Sequence, residues 1–253
     1  MKTIIRVAIF VCLVADGNAS ENVAAKQTVE GINDCPATIT ESTRLLVVST
    51  NGMKSPRANI QLFQRESKID NWRSAGPSWP GMVGRNGLGW AWDQAHYSKP
   101  GEPIKKEGDG KAPAGVFLVG APFGFKTKSL DNYITLKKET TACVDDVRSK
   151  HYNKIVDSKA ISSNMSHEKM WKINLYRHGL LVNHKTNRKK RGGSCIFVHV
   201  WRHKNKSTAG CVAFDAKNVV KIQSEMNAQI SSIAILPSSS LKALGACNLP
   251  GLQ

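Results

Sequence analysis

A histidine and a cysteine twelve residues apart are the strongest candidates for chemistry in this sequence. His199 lies near the end of an apolar run, and Cys211 directly follows Gly210. A cysteine nucleophile needs a base that takes its proton, and backbone N–H groups that hold the oxyanion of a tetrahedral intermediate. Histidine is the commonest such base. The pair is therefore a hypothesis for acyl transfer through a thioester, against the alternative that the two residues share this spacing by chance.

Apolar runs bounded by turn residues predict short strands through most of the chain. Residues 194–201, which include the histidine, are expected to pair with residues 179–184 across a basic hairpin loop. Further strands are predicted at residues 44–49, 58–65, 114–119 and 230–236. Residues 126–170 are polar and lack clear periodicity, with at most a helical turn or two at 139–157. The chain is therefore expected to be mainly β.

One helix is predicted close to the cysteine. Asp215 is a good N-cap for a helix over roughly residues 216–228. Gly210 and Cys211 would then enter this helix, whose N-terminus favours a thiolate and supplies N–H groups.

Length and composition indicate one globular domain. The chain has 253 residues, of which 41% are hydrophobic and 22% charged, and this excludes disordered and fibrous proteins. No internal repeat or linker divides it, so residues 20–253 are predicted to form a single domain. The 36 Lys and Arg exceed the 19 Asp and Glu, which favours anionic surroundings unless the charge serves only solubility.

The first 19 residues are typical of a secretory signal peptide. Lys2 precedes an apolar run at residues 7–15, and small residues at 17–19 offer a cleavage site. The run is too short to span a bilayer, which needs about 20 residues, although an uncleaved anchor is an alternative. Cleavage would remove two basic residues and one acidic residue, so the formal net charge would fall from +17 to +16. We expect an exported protein in the periplasm, cell wall or medium, with no stable membrane span after cleavage and no nucleic-acid partner.

The cysteine count predicts one thiol that stays free. Cys12 leaves with the signal peptide, and five cysteines remain. Two disulfides and one free thiol are the simplest arrangement in an oxidising compartment. With Cys211 free, three connectivities are possible, of which we favour Cys143 with Cys195 and Cys35 with Cys247. The cysteine and histidine spacings are not those of a zinc site.

The residues around the candidate pair resemble the signature of the L,D-transpeptidase catalytic domain (the YkuD-like family), in which a strand histidine precedes a Ser/Thr-x-Gly-Cys element. The matching segments are residues 196–199 (Ile-Phe-Val-His), 207–212 (Ser-Thr-Ala-Gly-Cys-Val), 108–117 (Gly-Asp-Gly-Lys-Ala-Pro-Ala-Gly-Val-Phe), and 143–146 with 152–157, which look like an exported bacterial branch. The resemblance covers roughly residues 45–236 and is most specific at residues 194–214.

This resemblance implies a β-sandwich of two mixed sheets and a role for each matching residue. Cys211 would attack a peptide carbonyl, and His199 would take its proton and later activate the acceptor amine. The backbone carbonyl of Val200 would orient the imidazole. The N–H groups of Gly210 and Cys211 would form the oxyanion hole. No cofactor and no metal are implied.

The sequence departs from the family pattern at two positions. Ala209 stands where the family often has a histidine that contributes to the oxyanion hole, and Ala213 stands where it often has Arg or Asn. These changes put the rate and substrate preference in doubt more than the reaction type. The short loop between His199 and Cys211 would also leave an open cleft.

Four further side chains near the pair have two interpretations each. Trp201 and Arg202 could line the cleft, where Arg202 would pair with a stem-peptide carboxylate, or they could pack and face solvent. His203 lies four residues after His199 and could be taken for the base, but a solvated side chain is expected. His184 ends the neighbouring strand and could either reach the site or lie apart from it.

Acidic and basic clusters elsewhere have simpler interpretations. Asp145, Asp146 and Asp157 lack histidine partners at ligand spacing, so turn and capping roles are expected. The basic run at residues 188–191 is expected to be a solvated loop that could also rest on an anionic wall polymer.

The resemblance implies a cysteine-dependent L,D-transpeptidase that acts on peptidoglycan stem peptides. The acyl-enzyme would form at the bond between the diamino acid and the terminal D-alanine of a tetrapeptide stem. An amine of another stem would then resolve it into a 3–3 cross-link. Two alternatives stay open: an L,D-carboxypeptidase or amidase that uses water as acceptor, and a non-catalytic basic module that binds the cell wall.

Overall fold

The computed structural model describes residues 35–227 and 229–249, so the predicted signal peptide lies outside the described residues. Within them the protein is mainly β with few helices, as predicted. The strands are β1 (Arg44–Thr50), β2 (Arg57–Gln64), β3 (Arg73–Ser74), β4 (Trp79–Met82), β5 (Leu88–Trp90), β6 (Ala112–Gly124), β7 (Ile134–Thr135), β8 (Thr141–Val144), β9 (Ile155–Asp157), β10 (His167–Lys169), β11 (His178–Asn183), β12 (Phe197–Val200), β13 (Val212–Phe214) and β14 (Ser231–Pro237). The α-helices are α1 (Ala37–Thr40), α2 (Ala216–Glu225) and α3 (Ser238–Leu241).

The main sheet closes on itself. Its strands follow the order β1-β14-β6-β11-β12-β13-β4-β2, and β2 pairs again with β1. The pairs β1–β14 and β12–β13 are parallel and the other neighbours are antiparallel. The two separate sheets expected from the sequence are therefore joined into one ring, because β1 bonds to a neighbour on both sides and Ala213 pairs with Met82 between β13 and β4. This closure satisfies strand edges that would otherwise be exposed.

Apolar side chains inside the ring form the main core. Every residue of β14 is buried, and β1 contributes four consecutive buried residues, Leu45 to Val48. Helix α2 packs against this sheet through Val219 and Ile222, and its fully buried Gln223 donates to backbone carbonyls of both β6 and β11. No helix among the described residues has the length and apolar character needed to cross a membrane.

A small second sheet forms where the sequence predicted at most a helical turn or two. Strands β8, β9 and β10 pair antiparallel in the order β10-β8-β9, with Glu168 of β10 opposite Cys143 of β8. That expectation was wrong because strands of three or four residues are too short to show a period of two in the sequence.

Both favoured disulfide pairings are confirmed. Cys143 is bonded to Cys195, with a Cα–Cα distance of 6.0 Å, and Cys35 is bonded to Cys247, with a Cα–Cα distance of 4.8 Å. Cys211 is the free cysteine of the described residues. Disulfides persist in oxidising compartments, so the two bonds agree with export from the cytosol.

Candidate active site

Strands β12 and β13 bring the predicted pair of residues together. They are parallel, with Val198 opposite Val212 and His199 opposite Ala213, and Cys211 immediately precedes β13. Residues two apart along a strand point to the same face of the sheet. Cys211 lies two residues before Ala213, the partner of His199, so its side chain lies on the sheet face that carries His199. The loop between the strands brings the chain back beside β12. Both side chains are buried, Cys211 at 7% and His199 at 5% exposure.

The Cys211 thiol is held by backbone groups of the segment that leads into β12. Its Sγ donates to the carbonyl oxygen of Cys195 at 3.5 Å and accepts from the N–H of Phe197 at 3.4 Å. Burial raises the pKa of the thiol to about 12, and the negative charge of Glu168 contributes in the same direction. The thiol is therefore protonated at neutral pH.

The His199 ring is fixed by its own strand. Its Nδ1 lies 2.9 Å from the carbonyl oxygen of Val200, the contact that the family resemblance implies. A carbonyl can only accept, so Nδ1 carries the proton and Nε2 is the atom able to take another. Burial lowers the pKa of the imidazole to about 4, with the Val200 contact opposing that shift. The ring is therefore neutral at neutral pH and can act as a base.

The expected helix N-terminus at the cysteine is not present. Cys211 leads into strand β13, and α2 begins only at Ala216, where the Asp215 side chain accepts from the N–H of Lys217 at 2.8 Å. The cap is as predicted, but the three residues of β13 separate it from the thiol. Dipole stabilisation of the thiolate falls off within one turn, which agrees with a raised rather than a lowered thiol pKa.

The backbone before the cysteine bears on the predicted oxyanion hole. The N–H of Gly210 donates to the Thr208 hydroxyl at 3.1 Å, and that hydroxyl donates to the carbonyl of Cys211 at 2.7 Å. A Cβ at Gly210 would lie 3.0 Å from the carbonyl oxygen of Lys111, so the glycine does permit a close backbone approach. An oxyanion role for Gly210 requires its bond to Thr208 to be released when substrate binds.

The other candidates around the pair divide between packing and solvent. Trp201 packs against the main core, whereas Arg202 is exposed. His203 is exposed, as expected, and its Nδ1 accepts from the N–H of Asn205 at 3.3 Å. His184 is buried edge-on against Phe117, with a centroid distance of 6.2 Å, and lines a cavity together with Cys143 and Phe197.

Two of the three acidic candidates, Asp146 and Asp157, take the expected turn and capping roles. Asp146 accepts from the N–H groups of Arg148 and Ser166 and from the Arg148 guanidinium, and this guanidinium holds the pKa of the carboxyl well below its usual range. Asp157 accepts from the N–H of Lys159 at 2.9 Å. Asp145 has one buried oxygen without a hydrogen-bond partner. Among the described residues, no three His, Cys, Asp or Glu side chains are grouped to hold a metal ion.

The basic hairpin loop is anchored at both of its ends. Arg188 donates to the carbonyl of Ser149 at 3.0 Å, and the carbonyl of Arg191 accepts from the N–H of Glu107 at 2.7 Å. Residues 189–191 between and at these anchors are exposed.

Two residues of the site were missed by the sequence analysis. Tyr176 is buried at 5% exposure, and its ring lies edge-on to His199 with a centroid distance of 5.3 Å. Its hydroxyl donates to Glu168 at 2.8 Å, and its ring packs in the same buried cluster as Cys211. The only signal in the sequence was a tyrosine three residues before a predicted strand, which is too common to single out.

Comparisons with known proteins establish no family. No protein-family model matches the sequence, and no curated protein matches it either. Among solved structures it is similar to Bdellovibrio bacteriovorus Bd1075, with 12% identity and a TM-score of 0.41, over 86% of this chain and 57% of that one. It is also similar to the helical cell shape determining protein Pgp2 from Campylobacter jejuni, with 10% identity and a TM-score of 0.39, over 81% and 53%. The chain thus spans little more than half the length of these proteins, and at such TM-scores neither a common fold nor a function follows.

Proposed function

We propose that this protein is an exported, cysteine-dependent L,D-transpeptidase of the YkuD-like type, acting on peptidoglycan stem peptides. The observation that carries the proposal is the free, buried Cys211 on the same strand face as His199, whose Nδ1 is bound to the carbonyl of Val200. A thiol, a base with its second nitrogen available and a group that orients the base are the parts that acyl transfer by a cysteine requires. The ring of strands would then be a joined form of the two-sheet YkuD-like sandwich.

The proposed reaction begins with a neutral pair. Because both the thiol and the imidazole are uncharged at neutral pH, Nε2 of His199 takes the Cys211 proton as sulfur attacks the carbonyl between the diamino acid and D-alanine. The imidazolium then protonates the departing amine of D-alanine, which leaves a thioester on Cys211. In the second half the neutral imidazole takes a proton from the acceptor amine as it attacks the thioester. The thiol is regenerated and a 3–3 cross-link is released.

Two exposed parts of the surface are proposed to contact substrate and cell wall. Arg202 is exposed close to the end of β12, where it could pair with a stem-peptide carboxylate once substrate is present. The anionic wall polymer is a second proposed partner, through exposed residues 189–191 of the basic loop.

The test incubates the protein with tetrapeptide muropeptides of several stem types and follows products by mass spectrometry. Cys211→Ser and His199→Gln should abolish product, whereas His203→Gln, an exposed histidine four residues away, should behave as the unmodified protein. A cross-linked dimer that lacks one D-alanine supports transpeptidation. A tripeptide monomer alone would reassign the protein to L,D-carboxypeptidases. No Cys211-dependent product would contradict the proposal and favour the binding module.

A further inference from the structure

A basic groove that contains a tryptophan lies on the small sheet. Its volume is about 670 Å³, which is within the range of pockets that hold drug-sized ligands. The charged and aromatic side chains that line it are Lys138, Glu139, His167, Lys169, Trp171 and Lys172. The groove contains neither Cys211 nor His199, and the reaction proposed above uses none of its residues.

The groove lies on the face of β10 that points away from the reacting residues. His167 and Lys169 are two apart on this strand, so they share one face. Glu168 between them points to the other face, where its carboxyl group accepts from Tyr176 at 2.8 Å. The groove is therefore a second site, separated from the first by the small sheet.

Both walls of the groove are fixed by the fold. Trp171 is half-buried in a 3-10 turn, Met170–Lys172, and the turn is anchored by Met170, which is fully buried in the cluster that contains Cys211. On the other wall the Ser158 hydroxyl donates to the carbonyl of Glu139 at 2.7 Å, and the Ser158 N–H donates to the carbonyl of Thr140 at 2.6 Å. The tryptophan is thus held in place without a ligand.

The groove has positive charge to offer a ligand. Lys169 and Lys172 are exposed and form no ion pair with any described residue. Lys138 lies 3.9 Å from Glu139, but both are exposed, and such pairs contribute little. The Nδ1 of His167 donates to the carbonyl of Met165 at 3.0 Å, which leaves Nε2 available to a ligand.

We propose that this groove binds an acidic saccharide, with a sugar ring stacked on Trp171 and the acidic groups of the saccharide paired with Lys169 and Lys172. The C–H bonds on the face of a sugar ring carry partial positive charge, and the face of an indole ring is negative. Lysine ammonium groups donate charge-assisted hydrogen bonds to carboxylates and phosphates. In its neutral form Nε2 of His167 accepts a hydrogen bond from a sugar hydroxyl.

Single-stranded nucleic acid, which also combines flat rings with negative charge, fits the groove less well. Proteins that bind it present several aromatic side chains on which successive bases stack, whereas one tryptophan lines this groove. The disulfides Cys143–Cys195 and Cys35–Cys247 agree with export to a compartment in which saccharide polymers are the expected polyanions.

The test follows the indole N–H signals of the protein by NMR during titration at low ionic strength. The chain has six tryptophans, and the signal that is missing in Trp171→Phe belongs to Trp171. Trigalacturonate, which has a carboxylate on every ring, and glucose 6-phosphate are the two acidic probes, and they distinguish carboxylate from phosphate as the preferred group. Binding of either at the Trp171 signal supports the proposal. Maltotriose, which has rings without charge, and citrate, which has charge without a ring, should bind about tenfold more weakly than the better acidic probe.

Two variants separate the contributions of charge and stacking. Replacing Lys169 and Lys172 together by Gln should raise the Kd of the acidic saccharide about fivefold or more. The matched control replaces Lys126 and Lys217, two exposed lysines outside the groove, and should leave the Kd nearly unchanged although it removes the same net charge. Trp171→Ala should raise the Kd about tenfold, and Trp171→Phe should restore part of the affinity.

Three results would overturn the proposal. They are equal losses in the two double lysine variants, binding of acidic saccharides that leaves the Trp171 signal unmoved, and tighter binding of a thymidine oligonucleotide than of either acidic probe at that signal. Because the titration requires no turnover and no residue of the Cys211 site, such a failure is distinct from a failure of the proposed function.

Discussion

Removal of the Cys143–Cys195 disulfide should expose Cys211 while the main sheet stays folded. The bond closes a separation of 52 residues and fastens β8 of the small sheet to the segment that leads into β12, the strand of His199. Loop-closure entropy for that separation is worth about 4 kcal/mol. If all of it is lost from the equilibrium between the closed and the locally opened small sheet, opening becomes up to about 1000-fold more frequent. Replacing both cysteines by Ala should therefore accelerate iodoacetamide alkylation of Cys211 by orders of magnitude under native conditions.

The second disulfide provides a matched control. Cys35–Cys247 closes a separation of 212 residues, worth about 5 kcal/mol, and Cys247 belongs to the main core instead of the cluster around Cys211. Its double Ala variant should show the larger fall in thermal midpoint but native alkylation like that of the unmodified protein. Equal alkylation rates in the two variants, or no acceleration in the first, would refute the local coupling inferred from the structure.

Three further predictions concern stability. Burial lowers the pKa values of His184 and His199 to about 4, so the unfolded protein binds more protons than the folded protein between pH 6.5 and 4. The free energy of unfolding should therefore fall by about 3 kcal/mol per histidine as the pH is lowered from 6.5 to 4. His184→Leu should remove the contribution of His184 to this pH dependence, as measured by urea titrations. Gln223→Leu removes the side-chain donor of two buried backbone carbonyls and should cost about 2–4 kcal/mol in the same assay. Gly87→Ala should destabilise the protein by about 2 kcal/mol or more, because its Cβ would overlap a backbone carbonyl, whereas Gly108→Ala, with a similar positive φ but open space, should cost only about 1 kcal/mol in thermal denaturation.

The longer strands could be predicted from the sequence because their buried residues form apolar runs between turn residues. Strands β1, β2, β6, β11, β12 and β14 and helix α2 overlap the segments expected from apolar runs, turn residues and the Asp215 cap. Closure of the ring could not be predicted, since it depends on pairing between residues far apart, such as Arg44 with Ser231 and Ala213 with Met82. Strand periodicity describes a face and contains no information about which neighbour a strand takes.

The same distinction applies to the site. His199 and Cys211 could be proposed from residue type and spacing, and the Val200 contact from the family resemblance. Glu168 and Tyr176 could not, because Glu168 lies on a strand of only three residues and Tyr176 lies in a 3-10 turn. Neither element has a sequence pattern that would place it beside the β12–β13 pair. The sequence analysis also expected a helix N-terminus that would favour the thiolate, whereas the thiol pKa is raised. The cause is burial of the thiol, which depends on tertiary packing and cannot be read from neighbouring residues.

The resting protonation states explain how Cys211 can remain a free thiol beside a disulfide. Exchange and oxidation both proceed through the thiolate, and a thiol with a pKa of about 12 is ionised to only about one part in 100,000 at pH 7. A neutral imidazole with a pKa of about 4 does not draw the proton away by itself. In the proposed reaction, proton transfer becomes favourable only when a carbonyl carbon is positioned to bond to the sulfur, because the negative charge then moves to the carbonyl oxygen. If the proposed function is correct, burial of Cys211 therefore restricts its reactivity to bound substrate, as a cysteine enzyme requires in an oxidising compartment.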